Sequence, residues 1–143
     1  MEWNIPSCFY RVSVKALILD QTRTKFLVVQ EHDGKWDFPG GGLDWGSTPQ
    51  EDLPREIQEE MGLEVLSVAK DPSYFITFLT TRKVKNVWVA NIFYETTVAS
   101  PDFTPSDECV AVKFVTPEEA IALTPQSGNL RMLGELFDPA RHH

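Results

Sequence analysis

The chain has 143 residues, of which 42% are hydrophobic and 24% are charged, a balance typical of a folded globular protein. No apolar run approaches the roughly 18 residues that a membrane-spanning helix needs, and the sequence has no internal repeat or low-complexity tract. Its 21 acidic and 13 basic residues give a net charge of −8, which argues against binding along a nucleic-acid backbone.

The N-terminal stretch MEWNIPSCFY is not basic and has no long apolar core, so it does not resemble a signal peptide. We therefore expect a cytoplasmic protein built as a single domain over residues 1–141. The terminal His142 and His143 resemble the remnant of a purification tag. Cys8 and Cys109 lack metal-ligand spacing and are predicted to be reduced structural thiols. The oligomeric state stays open, a homodimer included.

Segments rich in β-branched and aromatic residues predict the strands. They are FYRVSVKALIL (9–19), KFLVVQE (25–31), SYFITFLTTR (73–82), VWVANIFYETTV (87–98) and CVAVKFV (109–115). The pair Asp33 and Gly34 predicts a turn after the second segment. The polar KVKN between the third and fourth segments predicts a hairpin.

Two helix starts share one pattern. Thr48 and Thr116 are each followed directly by proline and, three residues after the threonine, by Glu51 or Glu119. This arrangement is typical of a helix N-terminus. A third helix is predicted through NLRMLGELF (129–137). The order of strands, acidic helix, strands and helices predicts an α+β protein in which helices flank a mixed β-sheet.

Acidic residues concentrate in the first predicted helix and its approach, where seven acids between positions 44 and 64 accompany a single base, Arg55. At about 100° per residue, one arc of the helix is apolar and the adjacent arc is acidic. The apolar arc holds Leu53, Ile57 and Met61, and the acidic arc holds Glu56, Glu59 and Glu60. Because side chains three and four apart lie about 5 to 6 Å from each other, either these charges point into water or a cation neutralises them.

Directly before this helix stands WDFPGGGLDWGS (36–47), a predicted loop with a proline and three successive glycines. Pro39 favours a turn, and Gly40, Gly41 and Gly42 leave the backbone open to a close ligand. The stretch lacks the lysine and hydroxyl residue of a P-loop, so divalent ions would have to balance the charge of a bound phosphate. Loop and helix together predict a metal and phosphate site.

The same residues resemble the box of the Nudix hydrolases, G-x5-E-x7-R-E-U-x-E-E-x-G-U, where U is aliphatic. The box runs from Gly41 to Leu63, and its later positions are all in register: Arg55, Glu56, Ile57, Glu59, Glu60, Gly62 and Leu63. Ser47 stands where the pattern has its first glutamate. Pro54 lies inside the expected helix and should kink it or delay its start. The resemblance implies a Nudix-like α/β/α sandwich.

For function, the resemblance implies a nucleotide pyrophosphohydrolase that cleaves the diphosphate linkage of a nucleoside diphosphate joined to another moiety. The implied cofactor is Mg²⁺ or Mn²⁺, and the implied partner is a small-molecule nucleoside diphosphate derivative. The implied metal ligands are Glu56, Glu59, Glu60 and the carbonyl of Gly40. The implied catalytic residues are Glu56, Arg55 and Glu59, with Arg55 holding a neighbouring carboxylate in place.

Three further assignments complete the expected site. Glu56 is the first candidate for the general base and Glu108 the second, although Glu108 equally fits an ordinary exposed acid. Gly41, Gly42 and Trp45 are the candidate substrate-binding residues, with Trp45 predicted to be exposed. Trp36 is predicted to be packed, and Trp88 is also more typical of a core position.

Ser47 supports an alternative to catalysis. Serine offers only a weak neutral ligand or a partner for water, so the chain would then be a Nudix-fold module that binds a nucleotide with weak or no hydrolysis. On this interpretation Ser47→Glu would restore a ligand and lower the metal requirement. The sequence leaves the substrate open among an oxidised nucleotide, ADP-ribose, a dinucleoside polyphosphate, a nucleotide sugar and a capped RNA end.

Overall fold

The computed structural model describes residues 9–82 and 85–142. The strands are β1 (Arg11–Leu17), β2 (Phe26–Gln30), β3 (Trp36–Asp37), β4 (Gly40–Gly42), β5 (Val65–Val68), β6 (Tyr74–Arg82), β7 (Lys85–Val98) and β8 (Ala111–Val115). The helices are α1 (Pro49–Met61), α2 (Pro117–Ala122) and α3 (Gly128–Leu136), and a 3₁₀ turn covers Pro139–Arg141.

The long strand β7 organises the larger of two sheets, which has five strands. One edge of β7 pairs in parallel with β1, and β4 then adds antiparallel to β1. The other edge pairs antiparallel with β6 and, further along, with β5. The second sheet is antiparallel, with the order β3-β2-β8. Because β1 and β7 run parallel within otherwise antiparallel pairings, the larger sheet is mixed, as predicted.

Helices cover the sheets through two hydrophobic clusters. Helix α1 buries Leu53, Ile57 and Met61 in the first cluster, against strands β1 and β2. Helix α3 buries Leu130 and Leu133 in the second, which contains a chain of aromatic contacts. In that chain the rings of Phe26 and Phe38 lie 5.1 Å apart and those of Phe38 and Phe93 lie 4.9 Å apart. This arrangement confirms the predicted α+β class, with helices flanking a mixed sheet.

The predicted helix starts are confirmed at residue level. Helix α1 begins after the N-cap Thr48, and α2 begins after Thr116, where the complete capping box with Glu119 forms. Pro54 does not delay α1, because the cap and the proline at position 49 already fix the first turn before residue 54. Gly62 ends the helix in the left-handed conformation, with φ of 65°.

Three strands were not foreseen in the sequence, namely β3, β4 and β5. The loop predicted at Gly40 to Gly42 is instead an edge strand paired with Ser13 to Lys15 of β1. Glycines carry no side chains and therefore show no alternation of apolar and polar residues. Strand β3 has only two residues, which is too short for a period of two to be visible.

Aromatic exposure follows the prediction at two positions and departs from it at a third. Trp45 is fully exposed, as predicted, and Trp36 packs against the second cluster. Trp88 is 47% exposed, so its assignment to the core was wrong. It pairs across the β6–β7 hairpin with Leu79, which is also half exposed, and its nearest ring, Tyr10, lies 6.2 Å away.

Cys109 and His142 are also buried. Cys109 is a free thiol, as predicted, and burial raises its pKa to about 11. His142 lies 2.8 Å from the Tyr74 hydroxyl and stacks on Phe137, while its origin in a tag stays a prediction. Cys8 and His143 lie outside the described residues. None of the helices in the described part of the chain has the length and apolar character to cross a membrane.

Candidate active site

The three glutamates of the acidic arc lie in three different environments. Glu59 is 61% exposed at its side chain and pairs with Arg55. The Glu56 side chain is only 13% exposed, and it lies against strand β4. Glu60 is half-buried and lines a cleft of about 460 Å³ together with Gly40 and Glu108. The fold therefore brings Glu60 and both candidates for the general base to one side of α1.

Two glycines of β4 leave the space that this arrangement needs. A Cβ at Gly41 would lie 2.3 Å from Oε2 of Glu56, so the missing side chain is what admits the carboxylate. A Cβ at Gly40 would lie 2.2 Å from the Val14 carbonyl oxygen, and the φ of Gly40 is +127°. Such a φ is accessible to glycine alone without strain. Gly41 therefore has a packing reason as well as its place in the box, and Gly40, directly before the box, has a packing reason of its own.

Burial and nearby negative charges raise the pKa of two carboxyl groups, Glu60 and Glu56. The pKa of Glu60 is raised to about 8, first by burial and next by the charge of Glu56, with Lys15 opposing the rise. Burial also raises the pKa of Glu56, which Arg55 partly counteracts. Both groups therefore hold protons more tightly than ordinary glutamates. A cation placed between them would remove this cost.

Arg55 lies at the centre of a group of carboxylates. Its guanidinium nitrogens lie 3.0 Å from Asp44, 3.4 Å from Asp52, 3.7 Å from Glu56 and 3.3 Å from Glu59. Hydrogen bonding to Asp52 is the largest cause of a raised Arg55 pKa. The side chain is therefore positioned to restrain several acids at once.

Sequence reasoning missed Asp52, which is buried beside this group. The Asp44 N–H donates to its Oδ2 at 2.9 Å. Its pKa is lowered, first by this backbone hydrogen bond and further by Arg55 and the Ser47 hydroxyl. The spacing of three residues between Asp52 and Arg55 was a signal for this pair, because such residues are neighbours on a helix.

A polar pocket of about 320 Å³ opens on the other side of Gly40 to Gly42. A buried network lines it. Asp37 accepts from Asn129 at 2.9 Å and pairs with Lys15 at 3.4 Å, and Asn91 donates to Asn129 at 2.7 Å. Two buried atoms at its wall, Oε1 of Gln126 and Oγ of Ser127, have no protein partner among the described residues. No sequence pattern marks these residues, which come from distant parts of the chain.

Two other predicted substrate residues, Trp45 and Gly42, do not line the cleft that contains Glu60. The ring of Trp45 projects into solvent next to Asp44. Gly42 faces the guanidinium of Arg11, which would lie 1.7 Å from a Cβ at this position. A larger cavity of about 590 Å³ lies elsewhere, between Asp20 to Arg23 and Glu95 to Val98, and contains no residue of the box.

Within the described residues, no three His, Cys, Asp or Glu side chains converge on a ready-made metal site. The geometry gives the reason, since Glu59 pairs with Arg55 and Glu60 faces the cleft at Gly40. The donor set nevertheless suits a hard divalent cation, because it consists of carboxylate oxygens beside a glycine backbone. The raised pKa values of Glu56 and Glu60 point the same way.

The chain is similar in sequence to a known domain family and to several curated proteins. The NUDIX domain profile matches residues 9–134. A MutT-like protein of Streptomyces ambofaciens is 27% identical over 133 residues, which cover 93% of this chain and 81% of that protein. An RNA pyrophosphohydrolase of a Nitratiruptor species is 29% identical over 80 residues, or 52% of each chain. The chain thus spans about half the length of the first curated relatives it matches.

Among solved structures, the MutT protein from Methanosarcina mazei Go1 superposes with a TM-score of 0.70 at 25% identity. The superposition covers 94% of this chain and 96% of that one. The profile match spans the segment from Gly41 to Leu63, and the superposition agrees with the observed sandwich. The chain therefore belongs to the NUDIX domain family.

Proposed function

We propose that this protein is a metal-dependent hydrolase that cleaves the diphosphate linkage of a nucleoside diphosphate joined to another moiety. The observation that carries the proposal is the pair of partly buried carboxylates, Glu56 and Glu60, beside the glycine strand Gly40 to Gly42. Two acids with raised pKa values at a cleft are typical of a site that binds a cation. The likeness to proteins named RNA pyrophosphohydrolase supports the same chemistry.

The metal ligands in this proposal are Glu56, Glu59, Glu60 and the carbonyl of Gly40. When bound there, Mg²⁺ or Mn²⁺ would neutralise charge on the phosphate oxygens and lower the pKa of a water ligand. Arg55 keeps Glu56 and Glu59 oriented through its ion pairs with them. Glu59 has to exchange part of its contact with Arg55 for the cation.

Glu56 remains the first candidate for the general base. Its pKa is raised by burial, and a carboxylate of higher pKa accepts a proton from water more readily. Glu108 is the second candidate, because it is exposed and lines the same cleft as Glu60. The two are separated by comparing the pH dependence of kcat in Glu56→Gln and Glu108→Gln, since only loss of the base removes the acidic limb.

We assign the nucleoside part of the substrate to the polar pocket beyond the glycine strand. The unpartnered Gln126 Oε1 and Ser127 Oγ supply hydrogen-bonding capacity at its wall, as recognition of a polar ring requires. Trp45 does not line this pocket, so its exposed ring stays a separate candidate for stacking, which contributes about 1 to 3 kcal/mol per base.

A substrate panel tests the proposed function. The purified protein is incubated with an oxidised nucleoside triphosphate, ADP-ribose, a dinucleoside polyphosphate, a nucleotide sugar and a 5′-triphosphate or capped RNA, with Mg²⁺ and with Mn²⁺. We expect at least one compound to give a nucleotide product in the presence of metal. Binding of these compounds without any product would instead support the nucleotide-binding module.

Metal is expected to stabilise the folded protein. A cation that binds only the folded state at a hundred times its Kd adds about 2.7 kcal/mol to the free energy of unfolding, so Mg²⁺ at millimolar concentration should raise Tm by several degrees. Chelator should reverse the shift. Thermal unfolding followed by circular dichroism measures it, with Glu56→Gln/Glu60→Gln as the matched control. An equal shift in that variant would place the metal elsewhere.

A further inference from the structure

Asp52 is the most deeply buried acid of the box segment. Its side chain is 3% exposed, and an ionised carboxylate at such a position must be paired to be tolerated. Three groups surround it. The Asp44 N–H donates at 2.9 Å, the Arg55 guanidinium lies at 3.4 Å, and the Ser47 hydroxyl also interacts with the carboxylate.

These contacts join the two parts of the box. Asp44 and Ser47 belong to the turn between β4 and α1, closed by the Ser47 N–H donating to the Asp44 carbonyl at 3.0 Å. Arg55 lies one turn further along the helix and reaches Glu56 and Glu59. Asp52 is thus the point at which the turn preceding α1 is tied to the arginine that restrains the proposed metal ligands.

The contacts of Asp52 lie next to position 47, where this chain departs from the box pattern. The box pattern has glutamate at position 47, and this chain has a short hydroxyl there, which helps to lower the pKa of Asp52. We propose that Asp52 is a positioning residue that supplies, from within the helix, the carboxylate that position 47 lacks. It orients Arg55 and, through Arg55, Glu56 and Glu59 for metal binding. This inference rests on the proposed metal site.

A direct role as a metal ligand is excluded by the same contacts. One oxygen of Asp52 accepts from the backbone of Asp44, the other faces Arg55, and almost none of the side chain is open to solvent. Asp52 also accounts for part of the raised Glu56 pKa, so its charge acts on the cluster across a short distance. Its effect on the cation is therefore exerted through neighbouring residues.

The proposal changes the expectation for Ser47→Glu. A second carboxylate at position 47 would stand beside the ionised Asp52 with only Arg55 to balance both, and like charges at this distance repel. The single variant should therefore need no less Mn²⁺ than the parent. In the background of Asp52→Ala the same substitution restores a partner for Arg55 and should recover metal binding.

The test compares the parent with Asp52→Ala, Asp52→Asn, Ser47→Glu and the double variant Ser47→Glu/Asp52→Ala. Gln58→Ala, an exposed position of the same helix, is the matched control. Mn²⁺ binding is measured alone, by electron paramagnetic resonance of the free ion, and the Mn²⁺ dependence of the rate is measured with the panel's best substrate. Asp52→Ala should weaken Mn²⁺ binding about 10-fold or more, with KM for the nucleotide changed less than about twofold.

The double variant decides the outcome. Recovery of most of the lost Mn²⁺ affinity, beyond what adding the single effects predicts, supports the proposal. No recovery, or parent-like Mn²⁺ binding in Asp52→Ala, overturns it. Should Asp52→Ala fail to fold, Asp52→Asn keeps an acceptor for Asp44 and must still lose affinity. Because Mn²⁺ binding is read without turnover, a parent that hydrolyses nothing would contradict the proposed function and leave this test valid.

Discussion

Glu60→Gln is expected to lower metal-dependent hydrolysis by about 1,000-fold, because a ligand of the ion that stabilises several kcal/mol of developing charge is lost. The same change should stabilise the metal-free protein. Burial raises the pKa of Glu60 from 4.5 to about 8, so the folded state binds a proton that the unfolded state releases. Ionisation of Glu60 therefore leaves the free energy of unfolding unchanged below pH 4.5 and lowers it progressively between pH 4.5 and pH 8. Above pH 8 the full loss of stability remains.

The measurement is Tm in chelator from pH 5 to pH 9 for the parent and Glu60→Gln. The gap in Tm between them should be small at pH 5 and widen with pH. Near pH 8 it should correspond to a difference in the free energy of unfolding on the order of 2 kcal/mol, once screening in the open cleft is allowed for. Glu64→Gln, an exposed acid beyond the helix, is the control and should show no such gap. A gap that narrowed with pH would contradict the environment assigned to Glu60.

Gly41→Ala is the second substitution expected to have a large effect on the rate of hydrolysis. The added Cβ would lie 2.3 Å from Oε2 of Glu56, so the carboxylate must leave its place beside β4. Because displacement of a catalytic group by about 1 Å costs about 100-fold in rate, we expect a loss of this size together with a higher Mn²⁺ requirement. The change in stability should be small, since the atom that has to move is the end of a flexible side chain.

The neighbouring glycines provide the controls. Gly42→Ala displaces only the flexible guanidinium of Arg11 and should leave the Mn²⁺ requirement unchanged. Gly40→Ala meets the Val14 carbonyl at 2.2 Å with φ of +127°, so it should cost about 3 kcal/mol or more in stability. Chemical denaturation and Mn²⁺ titration separate the three. Equal effects of Gly41→Ala and Gly42→Ala on the Mn²⁺ requirement would contradict the role assigned to Gly41.

The helices were predictable from the sequence because their signals are local. Thr48 and Thr116 mark their helices within four residues, and the spacing of Leu53, Ile57 and Met61 identifies the buried face of α1. The long strands were equally visible, since they are rich in β-branched and aromatic residues. The glycine strand was not, because it is defined by pairing with β1, a segment much earlier in the chain.

Within the site, the sequence marked the residues of the box but not the residues that surround them. Asp52 was one acid among seven, and only its burial beside Asp44 and Arg55 distinguishes it. The network of Lys15, Asp37 and Asn129 joins three distant segments, so no spacing along the chain predicts it. Contacts of this kind depend on tertiary packing, which a local pattern does not encode.

Phosphorus NMR of the products formed from the panel's best substrate, in Mn²⁺ or Mg²⁺ and in chelator, tests whether the protein is a metal-dependent hydrolase of a diphosphate linkage. We expect two fragments that result from cleavage between the phosphorus atoms of the diphosphate linkage, formed only with metal and about 1,000-fold more slowly by Glu60→Gln. Turnover that persists in chelator, or product from Glu60→Gln at the parent's rate, would contradict this expectation.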